Sequence, residues 1–568
     1  MKHWIALTGI VLLGAAAIVI SERRKVDVPP GPAPVLYLIG DTEQELTRMP
    51  VSFTRMSDAE EIRIGDQLAR YYASDRQEKH DVATLGIEAY LNQVGSRLAV
   101  HAHRRLPYRF HYIPDKYFIN AFALPGGHVY IGEGLLRLMD SEDELASVLG
   151  HEIEHIDHYH CAERVQQEEA LRKIPLGELF AIPIEVFEAG YSKGQELEAD
   201  REGTRLAVQA GYSANGAIRM FETFQRLYEE YQTRARTPQE ELSQVAQQTL
   251  QGYFRSHPPA YERIAQIQRL IADEHWPLRP ERDIAVGYIL QTSKAAEALQ
   301  AGKYPVAQEL ALQSLKMRPE QLPALEVLAK AQFAQAQFAD AAATYRKLLD
   351  LNFADSPSVT AYAEALAASD RQSAAANYER WLDSIKGEKA RSLQVPLAGL
   401  RLLGGDPSLA KTLAAETNAA ENLNTTDWAP HWLADLAWWY YKTGDYSSAH
   451  DLMENAVQQR PGDARFATEL GWIDIERRHL ADALQDLGTV YSGPDVAPDF
   501  AMANAVALWQ ASRKDEAMGR FDAAMEQHPE WKNSQWVKAL YAPSVAASVE
   551  QMRNERQRRK AKAQHSDS

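Results

Sequence analysis

At 568 residues, with 45% hydrophobic and 24% charged side chains, the chain has ordinary globular composition, which excludes bulk disorder and exceeds what one compact core holds. A formal charge of −17 repels phosphate backbones, so no nucleic acid is expected as a partner. The single cysteine, Cys161, excludes an intrachain disulfide.

Lys2 and His3 precede an apolar run from Trp4 to Ile20, and Arg23, Arg24 and Lys25 follow it. Residues 1–25 read as a signal peptide or an N-terminal membrane anchor. Small residues at Ala15–Ala17 suit cleavage, whereas the basic flank sits awkwardly with simple export. Either way the expected location is the bacterial periplasm, soluble or anchored to the inner membrane. Residues 26–54 carry Pro29, Pro30, Pro32, Pro34 and Pro50 and read as an extended linker.

From Ser57 the apolar positions Ile62, Leu68, Tyr71 and Tyr72 take helical spacing, and Ile87, Leu91, Val94 and Leu98 predict a second helix. Tyr108–Ile113 is strand-prone. Phe118–Leu124 and His128–Ile131, on either side of Pro125-Gly126-Gly127, predict a hairpin. Ser141 with Glu144 has the form of a capping box ahead of Leu145, Val148 and Leu149. A further helix is predicted from about Gln195 to Gly211.

The capped helix contains His151-Glu152-Ile153-Glu154-His155. Residues i and i+4 share a helix face, so the two imidazoles can hold one zinc ion while Glu152 reaches a water beside it. Leu145, Val148, Leu149 and Ile153 give the helix an apolar side, as a core helix requires. A catalytic zinc needs a third protein ligand, and Glu196 on the later helix is the candidate. Asp200 shares its face at i+4 and would accept a hydrogen bond from a ligand histidine. Glu198 points elsewhere, as a solvated charge. His158 and His160 read as a surface residue and a structural cap.

The C-terminal half repeats. Ala307 and Ala341 lie 34 residues apart, as do Ala449, Ala483 and Ala517, with weaker copies near Ala374 and Ala410. A 34-residue period with small residues and turns at fixed phase resembles the tetratricopeptide repeat, in which stacked helix pairs form a solenoid with a concave binding face. About seven degenerate units fit into residues 286–545. Residues 546–568 are basic and read as a disordered tail, or from Gln551 as a solvated, frayed helix end.

Asn120-Ala121-Phe122-Ala123, Pro125-Gly126-Gly127, His151–His155 and Glu196-Leu197-Glu198-Ala199-Asp200 together resemble the HtpX/BepA-like gluzincin zinc metallopeptidases. The resemblance implies a mostly α architecture, with an α+β zincin-type domain and small sheet at residues 55–285, followed by an all-α tetratricopeptide-repeat solenoid. It implies Glu196, not Glu198, as the third ligand, one zinc ion per chain, and His257 in Ser256-His257-Pro258-Pro259 as a plug on the open metal position. A role for His257 in oxyanion stabilisation stays open. Ser192-Lys193 stands where the family often has Ser-Arg.

The function expected is a metalloendopeptidase of the bacterial envelope with Glu152 as general base. Its substrates would be unfolded or misassembled envelope proteins, added as a strand beside Asn120, Ala121, Phe122 and Ala123. The repeats would recruit clients or outer-membrane assembly machinery. The alternative is a repeat scaffold or chaperone whose metal site is latent or silent.

Overall fold

The computed structural model describes residues 56–76, 81–172, 185–188, 191–234, 258–352, 356–385, 390–419, 429–489 and 499–566. The apolar N-terminal run and His257 lie outside the described residues. Among those described, no helix is long and apolar enough to cross a membrane. The chain divides into two compact units, Met1–Val286 and Gly287–Ser568.

In the first unit, helices α1 (Asp58–Arg76) and α2 (Val82–Ala99) precede strands β1 (Arg109–Ile113), β2 (Ala121–Leu124) and β3 (His128–Gly132). The sheet order is β1-β3-β2. The hairpin forms around Pro125–Gly127, with Leu124 opposite His128, and β1 joins β3 in parallel. Gly126 turns at φ 78°, a conformation glycine adopts without a Cβ penalty.

Helix α1 clamps this turn. A Cβ on Gly65 would fall 1.8 Å from the carbonyl oxygen of Pro125, so the two backbones touch. The fully buried Glu61 accepts hydrogen bonds from Gly126 N–H at 3.1 Å and from Arg104 Nη2 at 2.5 Å. Arg104 also reaches Asp58 at 2.7 Å, so the buried carboxylate is compensated.

There follow α3 (Glu133–Leu136), α4 (Glu142–Asp157), α5 (His160–Arg172), α6 (Glu185–Glu188), α7 (Lys193–Gln209), α8 (Asn215–Arg234) and α9 (Ala260–Asp273). Ser141 Oγ caps α4 by accepting from Glu144 N–H at 3.2 Å. The Glu144 carboxylate instead accepts from Asp140 N–H and Arg219 Nε, each at 2.9 Å. Outside donors tie both ends of α4. Asp143 accepts from the N–H groups of Ser213 (2.6 Å) and Arg282 (2.7 Å). Asp157 accepts from those of His103 (2.8 Å) and Arg104 (2.6 Å).

The second unit is entirely helical among its described residues, so the chain as a whole is mostly α. Seven helix pairs follow one another: α10 (Gly287–Gln300) with α11 (Tyr304–Met317), α12 (Leu322–Ala334) with α13 (Phe338–Leu351), α14 (Ser356–Ser369) with α15 (Ala374–Ser384), α16 (Arg391–Leu403) with α17 (Ser408–Ala419), α18 (Ala429–Thr443) with α19 (Tyr446–Gln459), α20 (Ala464–Glu476) with α21 (Leu480–Thr489), and α22 (Phe500–Gln510) with α23 (Lys514–Gln527). A left-handed residue recurs in the turns, at Gly302 and Ala336 and again at Gly444, Arg478 and Ser512. Each is followed by an N–H bonded back into the preceding helix, for example Lys303 to Ala298 O at 2.8 Å and Gln337 to Gln332 O at 2.9 Å. This is the helix-ending geometry that satisfies orphan carbonyls. Ala307, Ala341, Ala374, Ala410, Ala449, Ala483 and Ala517 are all buried where the helices meet.

After the last pair come a 3₁₀ turn (Pro529–Lys532), α24 (Ser534–Leu540) and α25 (Pro543–Ser566). The expectation of a disordered tail from residue 546 is corrected here, since helix continues to Ser566. Val545, Val549 and Met552 form a buried stripe, and Arg553, Arg556 and Arg559 pair with Glu550, Asp522 and Asp515. The basic composition concealed that amphipathic spacing.

Candidate metal centre

Helices α4 and α7 cross at two glycines. A Cβ on Gly150 would lie 2.7 Å from Gly203 O, and one on Gly203 would lie 2.6 Å from His151 N. This backbone contact sets His151 and His155 of α4 against Glu196 of α7. Ser192 and Gln195 form a reciprocal capping box at the start of α7, and Tyr191 N–H donates to Glu196 Oε1 at 2.9 Å. The carboxylate is therefore fixed by the helix entry itself.

Among the described residues, His151, His155 and Glu196 form the one cluster with the spacing of a metal site, with ligand atoms within 4.8 Å of one another and all three residues buried. The two Nε2 atoms are 3.1 Å apart, and the Glu196 oxygens lie 3.5 Å from His151 Nε2 and 3.7 Å from His155 Nε2. Three donors at zinc bond lengths of about 2.0–2.2 Å and tetrahedral angles are separated by about 3.4 Å, so this donor set fits a zinc ion in size and chemistry.

The surroundings call for positive charge. His151 Nδ1 lies 2.9 Å from Asp200 Oδ1. Burial opposes protonation of this imidazole, but Asp200 and Glu196 outweigh it and raise its pKa to about 10. Asp200 is itself gripped by Arg263, through Nε at 2.7 Å and Nη2 at 2.5 Å. Burial would raise the Asp200 pKa, yet Arg263 holds it below the usual carboxylate range. Phe221 carries the Arg263 guanidinium 4.1 Å above its ring. Glu152 is 5% exposed, and burial pushes its carboxyl up to about 7, close to what a general base at neutral pH needs.

Three neighbours of the cluster carry no signature in the sequence as ligand supports. Tyr191 stacks on His155 with centroids 4.0 Å apart, and His160 Nδ1 lies 3.0 Å from His155 Nδ1. Arg263 comes from α9, far along the chain. His160 was expected to be only a cap, and the weak available signal is its place five residues after His155. His158 follows the end of α4 and faces Glu154 at 2.9 Å, while Glu198 is 39% exposed and 3.5 Å from His160.

Glu152, His151, Asn120 and Ala121 wall a pocket completed by Leu135, Val148, Met220, Phe221 and Phe224. Only about 30 Å³ of it is free, enough for water but not for a side chain. Strand β2 is the sheet's edge, but its four residues are buried and Cys161 Sγ donates toward Ala123 O at 3.7 Å.

Residues 87–271 match peptidase family M48, and residues 292–357 and 435–490 match the tetratricopeptide repeat. A Vibrio cholerae protein that provisionally bears the name beta-barrel assembly-enhancing protease is 28% identical over 46% of this chain and 61% of its own. The beta-barrel assembly-enhancing protease of Escherichia coli K12 is 29% identical over 28% of this chain and 36% of its own. The mitochondrial metalloendopeptidase OMA1 of Schizosaccharomyces pombe is 33% identical over 23% of this chain and 42% of its own. The chain thus spans less than two thirds of the length of each of these relatives. The chain carries a peptidase family M48 domain followed by tetratricopeptide repeats.

Proposed function

We propose that this chain is a zinc-dependent endopeptidase of the bacterial cell envelope that cuts unfolded or misassembled proteins. The observation that carries the reading is the convergence of His151, His155 and Glu196 from two helices, with Glu152 buried beside them. These three residues would hold the metal. A zinc ion there supplies Lewis acidity toward a scissile carbonyl and lowers the pKa of water. Glu152 takes the proton of the attacking water and returns it to the leaving amine. Asp200, backed by Arg263, orients His151, while Tyr191 and His160 orient His155. An extended substrate would run along Asn120–Ala123, adding a strand to the sheet. The repeats would recruit clients or an outer-membrane assembly partner, in line with the names of the relatives.

The test is metal content and casein cleavage by the full chain beside Glu152→Gln. The variant should keep one zinc per chain and lose activity by about 100-fold or more. Loss of zinc, or unchanged cleavage, would refute the assignment. The narrow pocket and buried β2 favour a second reading, a repeat scaffold or chaperone whose site is latent. Under that reading Glu152→Gln leaves every phenotype of the chain unchanged.

A further inference from the structure

The two candidate ligand imidazoles are backed by different chemistry. His151 Nδ1 faces the Asp200 carboxylate at 2.9 Å, a group that accepts and, when ionised, has nothing to donate. His155 Nδ1 faces a second imidazole, His160 Nδ1 at 3.0 Å, which accepts or donates according to where its hydrogen sits. The position of that one hydrogen decides whether the contact supports His155 as a ligand or opposes it.

Counting hydrogens fixes the arrangement a metal needs. His155 Nε2 lies 3.1 Å from His151 Nε2 and 3.7 Å from Glu196 Oε1, so it is the nitrogen offered to an ion. A neutral imidazole that gives one nitrogen to a metal bears its hydrogen on the other, so His155 Nδ1 is the donor of the pair. His160 Nδ1 must then be a bare acceptor, with the hydrogen of His160 on Nε2. The other tautomer sets two N–H groups against each other at 3.0 Å, between rings of residues only 1% and 4% exposed.

The group that selects between the tautomers stands on α7. Glu198 Oε2 lies 3.5 Å from His160 Nε2, and a carboxylate there favours a hydrogen on Nε2. Glu198 is also paired with Arg201 Nη2 at 3.6 Å. Tyr191 packs on both rings, with centroids 4.0 Å from His155 and 5.8 Å from His160, and restrains their mutual orientation. We propose that Glu198 is a positioning residue for the metal centre. It holds the hydrogen of His160 on Nε2, so that His160 accepts from His155 and His155 Nε2 stays bare toward the ion. The proposal rests on His155 being a metal ligand. One helix thus supplies the ligand Glu196 and, two residues on, the control of a second ligand's backing, where the sequence suggests only a solvated charge.

Competition with a chromogenic chelator reads the zinc affinity of the full chain beside Glu198→Ala, His160→Phe and the two combined. His160→Phe removes the acceptor of the His155 N–H and should weaken zinc binding about 10- to 100-fold. Glu198→Ala frees His160 to take either tautomer and should weaken it about three- to tenfold, with the melting temperature of the metal-free chain unchanged. In the combined variant the further loss from Glu198→Ala should vanish, because it acts through His160. Unaltered zinc affinity in Glu198→Ala overturns the proposal. So does a loss that persists in full in the combined variant, the mark of a charge acting across space, or one matched by a lower melting temperature without metal, the mark of a structural role. A native chain that takes up no zinc refutes the metal reading itself, and the proposal with it.

Discussion

Asp200 sits between His151 of the candidate metal set and the buried Arg263, and its charge serves both. Asp200→Asn keeps the shape but leaves Arg263 uncompensated and loosens His151. Zinc affinity should fall about 10- to 100-fold, read by competition with a chromogenic chelator. His128 offers a separate test through pH. It is 4% exposed, with Nε2 2.9 Å from Asp66 and Nδ1 3.0 Å from His111. Burial depresses its pKa from 6.5 to about 4, against the raising effect of Asp66. Below pH 6.5 the unfolded chain therefore binds a proton that the folded chain refuses. This contribution is complete above pH 6.5 and drains away as pH falls toward 4, amounting to about 3 kcal/mol. Urea midpoints measured from pH 7 down should fall more steeply for the native chain than for His128→Gln.

At the scale of elements, the α4–α7 crossing has no side chain to yield. Gly203→Ala drives a Cβ into the backbone of His151, so it should destabilise the first unit by about 1–3 kcal/mol and lower zinc affinity by moving Glu196. Thermal unfolding and chelator competition on the same sample would check both. Much of the arrangement was legible in the sequence. The i, i+4 histidines, the Pro-Gly-Gly turn and the helix carrying Glu196 and Asp200 are local patterns, and local patterns survive folding. What escaped came from contacts between distant segments. Neither the parallel pairing of β1 with β3, nor Tyr191 stacked on His155, nor Arg263 under Asp200 has a spacing rule. The capping box at Ser141 misled by half, because the Glu144 carboxylate takes the N–H of Asp140 and the Arg219 guanidinium instead of the N–H of Ser141.

For the whole molecule, the two units have separate cores, and the candidate metal residues all belong to the first. Zinc at about 100 times its dissociation constant adds about 2.7 kcal/mol to the fold that binds it. Chelation should lower the melting transition of the first unit and leave that of the repeats in place, as calorimetry of the full chain would resolve. A single transition shifting as one would show that the units unfold together.

The repeat unit also ties its beginning to its finish. Tyr304, in the first pair, bonds Glu530, and Asn533 Nδ2 donates to Gln335 O at 3.2 Å. An ordinary linear array frays from its termini, each outer repeat peeling away at the cost of one interface. Here the first repeats and the closing segment hold one another, so peeling of either one also breaks contacts of the other. Clipping the chain before Pro529 should accordingly loosen its opening helices, two hundred residues upstream, as much as the cut itself.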